Sequence, residues 1–293
     1  MRVSGPPKLS EAIERGRLIE VASDIQVYCA EDNFADGWLE PDAILMIHGI
    51  VEHGGIWRGW VPYLARHHRV LRPDLRGFGR SSPLRSNGNF SITDWADDLE
   101  TLLNALQCTR VHLVATKLGA QVAFELAQRQ LPNLASMTLA GMLPSPSAAL
   151  GSSLGELLSR IEHHGVESWA RTTMRGRMGS ALSDEAMGWW TALMGAAPLG
   201  SVLTCMRMLY DLHGPRFPER VACPTLFIMA GRKSAADSYN QQPDQADMER
   251  LVARVPGARS VIIEADSFHI AATHPDACAL VTADFIKTLT ARP

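Results

Sequence analysis

The spacing of apolar residues along the chain predicts a sheet whose strands are separated by helices. Two short runs near the start, split by Ser23 and Asp24, predict a β-hairpin. Later runs are apolar at nearly every position, which is typical of strands buried on both faces of a parallel sheet. The predicted strands are residues 18–22, 25–30, 43–47, 69–71, 111–115, 135–139, 225–229 and 260–263.

Segments with helical periodicity lie between these runs. The predicted helices are residues 60–66, 92–106, 118–130, 247–254 and 276–290. Strands that alternate with helices indicate an α/β fold, with a mostly parallel central sheet covered by helices on both faces.

The strand pattern stops between residues 144 and 220, where tryptophan and methionine become frequent. This stretch predicts a helical cap inserted over the carboxyl ends of the strands, where open α/β sheets bind ligands. We therefore assign residues 1–143 and 221–293 to the α/β core and residues 144–220 to the helical cap. Most of the cap tryptophans and methionines are expected to pack together. Trp169, Trp189 and Trp190 are expected to line an adaptable apolar pocket.

Composition narrows the class of protein. The chain has 293 residues, 46% of them hydrophobic, and a net charge of −3, which is typical of a soluble globular protein without nucleic-acid partners. No run reaches about 18 apolar residues, and the first residues lack the apolar core of a signal peptide, so neither membrane association nor export is expected. Five dispersed cysteines indicate reduced thiols in a cytoplasm.

No spacing typical of metal ligands is present, and no G-x-G-x-x-G follows a strand. We therefore expect no metal and no cofactor, and a dinucleotide-binding fold is disfavoured. The expected partners are a small-molecule substrate and, should the chain self-associate, a second copy in a homodimer.

Five short motifs occur in a fixed order along the chain. They are HGI at 48–50, RPDLRGFGRSS at 72–82, ATKLG at 115–119, PTLFIMAG at 224–231 and DSFH at 266–269. Together they resemble the α/β-hydrolase superfamily over residues 18–290. The motif spacing and the helical cap are most similar to its enol-lactonase and C–C hydrolase branch.

This resemblance implies roles for particular residues. Lys117 stands at the nucleophile elbow, where the superfamily carries serine in G-x-S-x-G. His269 stands at the position of the general base. The amides of Ile50 and Leu118 are expected to form an oxyanion site. The acid position is Ser234, which has no carboxylate.

Other residues follow from the same resemblance. Asp237, three positions beyond the acid position, is the candidate replacement acid. Asp74 is expected to organise its loop with Arg76. The loop after the third strand contributes candidate pocket residues, and among these Glu52 and His53 are more simply interpreted as loop surface. The candidates from this loop are His48, Gly49, Glu52, His53 and Trp57.

Three interpretations of Lys117 remain open. The amine is neutral and acts as a base or forms a Schiff base, since the helix dipole and burial under a cap both disfavour its charged form. Alternatively it stays charged and binds a substrate carboxylate, while His269 transfers protons with help from Glu52 or His53. In the third interpretation the chain is an inactive homologue that binds a small ligand or a partner. A neutral His269 beside Lys117, with no acid, is consistent with the first.

The sequence thus predicts an α/β-hydrolase-fold enzyme without the Ser-His-Asp triad. We expect it to act on a small oxo- or carboxylate-bearing molecule by C–C or ester-type cleavage or by elimination.

Overall fold

The computed structural model of the chain describes residues 16–84, 90–147, 154–232 and 242–290. Its centre is an eight-stranded sheet in the order β1-β2-β4-β3-β5-β6-β7-β8. The strands are β1 (Gly16–Ala22), β2 (Ile25–Asp32), β3 (Ala43–Ile47), β4 (Arg69–Pro73), β5 (Val111–Ala115), β6 (Leu134–Ala140), β7 (Thr225–Ala230) and β8 (Arg259–Ile263).

Only the first two strands break the parallel arrangement. β1 and β2 form an antiparallel hairpin, and β2 is antiparallel to β4, whereas every other neighbouring pair is parallel. β3 and β5 lie at the centre of the sheet, and every residue in them is buried. The predicted α/β class and mostly parallel sheet are therefore confirmed.

Helices follow the strands as the crossovers of a parallel sheet require. They are α1 (Val61–Leu64), α2 (Ile92–Ala105), α3 (Leu118–Gln128), α4 (Leu154–Met178), α5 (Asp184–Gly195), α6 (Leu199–Tyr210), α7 (Gln245–Arg254), α8 (Ile270–Thr273) and α9 (Pro275–Thr290). The helix predicted at 60–66 is shorter than expected. A 3-10 helix, Gly54–Gly59, occupies the preceding residues, and Pro62 stands in the first turn of α1.

In the part of the β6–β7 connection that the structure describes lie the helices α4 to α6, and α4 packs against both α5 and α6. α4 bends at Gly165, whose φ of 80° lies outside the helical range. Within the described residues no single helix is long and apolar enough to cross a membrane, although α5 and α6, bent by 90°, meet the length and composition criteria as a pair. The boundaries of a cap domain at residues 144 and 220 remain a prediction.

A buried histidine at the opposite end of β5 from the elbow makes folding sensitive to pH. His112 Nδ1 lies 2.7 Å from Ser136 Oγ, and its Nε2 lies 3.3 Å from Asp42 Oδ2. Burial, with the nearby charge of His68 as a second cause, lowers the pKa of His112 from 6.5 to about 4. Between pH 6.5 and about 4, His112 therefore binds a proton in the unfolded chain but not in the folded chain.

We predict that the free energy of unfolding falls as the pH drops from 6.5 to 4, with about 3 kcal/mol attributable to His112. Above pH 6.5 the folded chain keeps all of this stability, because His112 is then neutral in both the folded and the unfolded state. His112→Asn should flatten the pH dependence measured by urea denaturation. His163→Asn, on the exposed face of α4, should leave it unchanged. A His112→Asn variant with the parent's slope would contradict the prediction.

Candidate active site

Lys117 occupies a sharp turn between β5 and α3. Its φ of 51° and ψ of −122° lie outside the common regions for a residue with a side chain, a conformation that costs about 1–3 kcal/mol. The turn is fixed by the Lys117 amide, which donates to the Gly141 carbonyl at 2.9 Å. Strain of this kind in a turn that projects a side chain inward is typical of a functional position.

Gly119 lets α3 begin directly against the end of β3. A Cβ atom at this position would lie 2.4 Å from the Ile47 carbonyl oxygen and 2.5 Å from that of His48. The close approach places the Lys117 side chain beside the loop that follows β3. Gly49 is equally restricted, since a Cβ there would lie 2.7 Å from Lys117 Cε.

Glu52 is the main partner of Lys117. The Lys117 ammonium nitrogen Nζ donates to Glu52 Oε1, while Glu52 Oε2 accepts the Gly49 amide at 2.9 Å. Glu52 is 2% exposed and Lys117 is 7% exposed. The interpretation of Glu52 as loop surface is therefore wrong, and so is the expectation of a site without an acid.

A strained residue next to Glu52 accounts for its inward position. Val51 has a φ of 59°, which is rare for a β-branched residue, and it is buried. This conformation reverses the chain after Ile50. The bond from the Gly49 amide then closes the loop on the Glu52 carboxylate.

His269 lies on the other side of Glu52. Its Nε2 is 3.2 Å from Glu52 Oε1, but neither ring nitrogen makes a hydrogen bond with acceptable geometry inside the described segments. Trp190 packs edge-on against the imidazole, with ring centroids 5.3 Å apart. Burial, followed by the charges of Lys117 and Arg177, holds the pKa of His269 well below its usual range, so the ring is neutral.

The backbone around His269 is tied to the end of α4. The His269 amide and the Ser267 hydroxyl both donate to the Arg177 carbonyl, each at 3.1 Å. The Arg177 side chain is buried, with its guanidinium 4.5 Å from the centroid of the Trp169 ring. α4 therefore fixes the loop that carries the histidine and adds a positive charge near it.

Competing effects set the pKa of Lys117. Burial lowers it, the Glu52 carboxylate raises it, and the Arg177 guanidinium lowers it again, with a net shift below 10.5. Lys117 is also the N-cap residue of α3, at the end of the helix where the dipole disfavours a cation. Both burial and the dipole therefore increase the neutral fraction of Lys117.

The Ile50 and Leu118 amides flank this cluster. Neither takes part in a hydrogen bond recorded for the described residues. Leu118 begins α3, where backbone N–H groups have no partner within the helix. That these two amides form an anion site beside Lys117 remains a prediction.

His48 and His53 use their rings inside the fold. His48 Nε2 accepts the Leu75 amide at 2.8 Å and its Nδ1 donates to the Gly49 carbonyl at 2.6 Å, which fixes the neutral tautomer. Burial lowers the pKa of His48 to about 3. His53 Nδ1 accepts the Gly55 amide at 3.1 Å and caps the 3-10 helix.

The predicted pocket tryptophans differ in environment. Trp57 is fully buried against Trp60, at 5.2 Å between ring centroids. Trp169 is buried beneath Arg177, and Trp189 is 44% exposed. Of the predicted tryptophans, it is Trp190 that the structure places against His269.

Asp74 is structural, but Arg76 is not its partner. Its carboxylate accepts the Gly54 amide at 2.7 Å and the Arg80 amide at 2.8 Å. Arg76 instead pairs with Asp98. The expectation of an Asp74–Arg76 contact is therefore wrong, because Asp98 on α2 presents its carboxylate to the guanidinium.

The candidate acid Asp237 and the acid position of the superfamily, Ser234, lie outside the described residues. Over the ranges that the structure describes, no three side chains of His, Cys, Asp or Glu cluster closely enough to hold a metal ion.

Comparison with known protein families supports the fold. A family model described as the alpha/beta hydrolase fold matches residues 42–161. A pimeloyl-[acyl-carrier protein] methyl ester esterase from Methylococcus capsulatus is 41% identical over 99 residues, which cover 33% of this chain and 35% of that protein. A second such esterase, from Aeromonas salmonicida, is 35% identical over 36% of this chain and 39% of its own length. The chain thus spans little more than a third of the length of these two esterases.

Solved structures match over most of the chain. A bromoperoxidase from Bacillus anthracis superposes with a TM-score of 0.79 at 20% identity, over 93% of this chain and 99% of that one. An enol-lactonase from Burkholderia xenovorans LB400 gives a TM-score of 0.78 at 16% identity, over 92% and 99% respectively. The chain has the α/β-hydrolase fold, as its motifs predicted.

Two glycine substitutions test how tightly the elbow is built. Gly188 is an exposed residue of α5, and a Cβ added there meets no atom within 4 Å. Gly188→Ala should therefore raise the free energy of unfolding by up to about 1 kcal/mol, because alanine favours helix. Gly119→Ala, also in a helix, should lower it by about 1–3 kcal/mol, because its Cβ collides with β3. Urea denaturation measures both. A Gly119→Ala variant as stable as the parent would mean that α3 does not approach β3 this closely.

Proposed function

We propose that this chain is an enzyme of the α/β-hydrolase superfamily that acts on a small carbonyl compound through Lys117, Glu52 and His269. The observation that carries the proposal is the position of Glu52. Its Oε1 atom accepts a hydrogen bond from the Lys117 amine and lies 3.2 Å from His269 Nε2. A carboxylate between an amine and an imidazole connects two groups that can each hold the transferred proton.

In the proposed chemistry, the neutral Lys117 amine supplies the electron pair. As a base it removes a proton from the carbon next to a carbonyl, and the electrons of the C–H bond move onto the carbonyl oxygen as an enolate. As a nucleophile it adds to a ketone and releases water, which forms a protonated imine. The imine accepts the electrons of a breaking C–C bond, and water later releases the product.

Glu52 and His269 manage the proton in either case. The proton taken up at Lys117 is shared with Glu52 Oε1 and reaches the neutral His269 through a small movement of the imidazole. His269 then returns it to the leaving carbon or oxygen. His269 starts neutral, in agreement with its lowered pKa, and it accepts the proton only as Lys117 loses it, since burial and the charges of Lys117 and Arg177 all lower the pKa of the imidazole.

The Ile50 and Leu118 amides are the proposed anion site. Backbone donors that are already oriented stabilise a developing oxyanion without reorganisation, which is worth about 3–4 kcal/mol per donor in other acyl-transfer enzymes. The same two amides serve an enolate oxygen or a tetrahedral intermediate. The relatives include ester-cleaving enzymes, which supports a carbonyl substrate for this chain.

One observation favours a second function, that of an inactive ligand-binding homologue. The Lys117–Glu52 pair is closed, and each Glu52 oxygen already has a donor. A site whose charged groups already bond to one another leaves fewer polar groups free to bind a substrate. The two functions differ in one measurable respect, because only the enzyme requires turnover that depends on Lys117 and His269.

Lys117→Ala and Lys117→Ser should abolish turnover against a panel of β-diketones, enol-lactones and halogenated acids, because both remove the amine. Lys287→Ala, on α9, is the matched control and should retain activity. If Lys117→Ala turns over at the parent rate, the amine is not catalytic. If no compound is turned over by the parent and His269→Ala binds ligands unchanged, the binding function is supported instead.

Borohydride trapping tests the Schiff base separately. The chain has only four lysines, at positions 8, 117, 233 and 287, so peptide mass spectrometry locates any reduced adduct. A substrate-dependent adduct on the peptide containing Lys117 is expected if the amine is the nucleophile. Turnover that requires Lys117 without such an adduct assigns the amine as a base.

Replacement of Glu52 by glutamine should change the pH dependence of catalysis. The Glu52 carboxylate raises the pKa of Lys117, so its loss lowers that pKa further. The rise of kcat/KM with pH, which reports deprotonation of the amine, should move to lower pH. Glu100→Gln, which breaks a 2.8 Å contact with Arg129 away from the site, should not move it. A profile that keeps its midpoint in Glu52→Gln would show that Lys117 does not titrate in catalysis.

A further inference from the structure

The guanidinium of Arg58 packs against two aromatic rings beside the proposed active site. It lies in the 3-10 helix Gly54–Gly59, six residues after Glu52. Its guanidinium carbon is 3.9 Å from the centroid of the Trp189 ring and 5.7 Å from that of Trp190. Trp190 in turn packs against His269 at 5.3 Å.

Among the described residues the Arg58 guanidinium has no anionic partner, and no hydrogen-bond acceptor contacts it. Five other arginines of the same half of the chain pair with an aspartate or glutamate. These are Arg66, Arg69, Arg72, Arg76 and Arg110. Arg58 as a whole residue is exposed to solvent, yet partial burial of its guanidinium lowers the pKa of that group.

The stacked arrangement leaves the binding edge of Arg58 available. A guanidinium that lies over an indole uses its flat face for the ring and keeps its N–H groups directed outward in the plane. Those N–H groups match the two oxygens of a carboxylate, and the resulting pair of charge-assisted hydrogen bonds is strong and directional. The stack also holds the side chain in place, so less rotamer freedom is lost when an anion binds.

Charge around the site also favours an anion. Arg177 lies close enough to His269 for its charge to lower the pKa of that histidine, and Arg58 adds a second basic group beside Trp190. A cation held near a cleft raises the local concentration of anionic ligands. Glu52 is engaged by Lys117 and by the Gly49 amide, and so it does not reach Arg58.

Resting on the proposed function, we propose that Arg58 binds the carboxylate of the substrate and thereby makes the site selective for oxo acids over neutral carbonyl compounds. The carboxylate lies at the Trp189 end, and the reacting carbonyl lies beside Lys117. Because Trp190 lies 5.7 Å from the guanidinium carbon and 5.3 Å from the imidazole centroid, the guanidinium lies within about 11 Å of the imidazole. A substrate with roughly three to six carbons between carboxylate and carbonyl spans that gap once both hydrogen-bonding distances are allowed for.

Paired ligands test this selectivity without requiring turnover. The probes are straight-chain oxo acids of increasing length, from 5-oxohexanoate to 8-oxononanoate, each compared with its methyl ester by isothermal titration calorimetry. The parent should bind at least one acid about tenfold or more tighter than its ester, a difference of about 1.4 kcal/mol. Arg58→Gln should reduce that ratio to near one, and Arg58→Lys should retain some of it.

Arg220→Gln is the matched control. Arg220 also stacks on an aromatic ring, 4.3 Å from the Phe217 centroid, but on the 3-10 helix Pro218–Arg220 rather than beside His269. This variant should keep the parent's preference for acids, as should Lys117→Ala, which separates binding at Arg58 from chemistry at the amine. The proposal is overturned if the parent shows no preference for any acid over its ester, or if Arg58→Gln keeps the preference. Failure of the proposed function alone would appear as unchanged turnover in Lys117→Ala with the acid preference intact.

Discussion

The buried contact between Lys117 and Glu52 is the constraint around which the site is built. Two groups of opposite charge lie almost completely out of water, and removal of either one would leave the other without compensation, at a cost of about 3–5 kcal/mol. The pair is tolerable because the proton can lie on either partner and because the Gly49 amide stabilises the second carboxylate oxygen. Its position is set by two strained residues, Val51 and Lys117, both with positive φ. Hydrogen bonds to neighbouring turns, such as the one from the Lys117 amide to the Gly141 carbonyl, stabilise the strained backbone.

A lysine at the elbow changes what the surrounding fold can do. With a serine at this position, the histidine would take the serine proton and become positively charged, and an acid would stabilise that charge. Here the histidine is neutral and has no hydrogen-bond partner in the described segments, and the nearest carboxylate is engaged by the amine instead. A permanently charged Lys117 that binds substrate carboxylates is the weaker interpretation, since Glu52 already occupies the ammonium. The proposed anion site at the Ile50 and Leu118 amides depends only on backbone geometry, and so it does not require a serine at the elbow.

Local periodicity predicted the strands of the sheet and their order along the chain. The order of the motifs predicted that Lys117 and His269 lie close together, and both side chains indeed lie beside Glu52 Oε1. These patterns did not predict the role of Glu52. Its direction depends on the single backbone angle at Val51, which no periodicity reports. A carboxylate three residues after Gly49 was the available signal, but in a loop such a residue is more often solvent-exposed. The Asp74–Arg76 contact was wrong for a similar reason, since the competing Asp98 comes from a separate helix.

The most direct test of this account is the pKa of Lys117 itself, measured by NMR in protein carrying ¹³C-labelled lysine. With four lysines in the chain, the Lys117 signal is assigned by its absence from Lys117→Ala. The account predicts a pKa below 10.5 in the parent and a lower one in Glu52→Gln. A Lys117 pKa at or above 10.5 in the parent, unchanged in Glu52→Gln, would contradict it, because the amine would then be an ordinary surface-like cation with no coupling to Glu52.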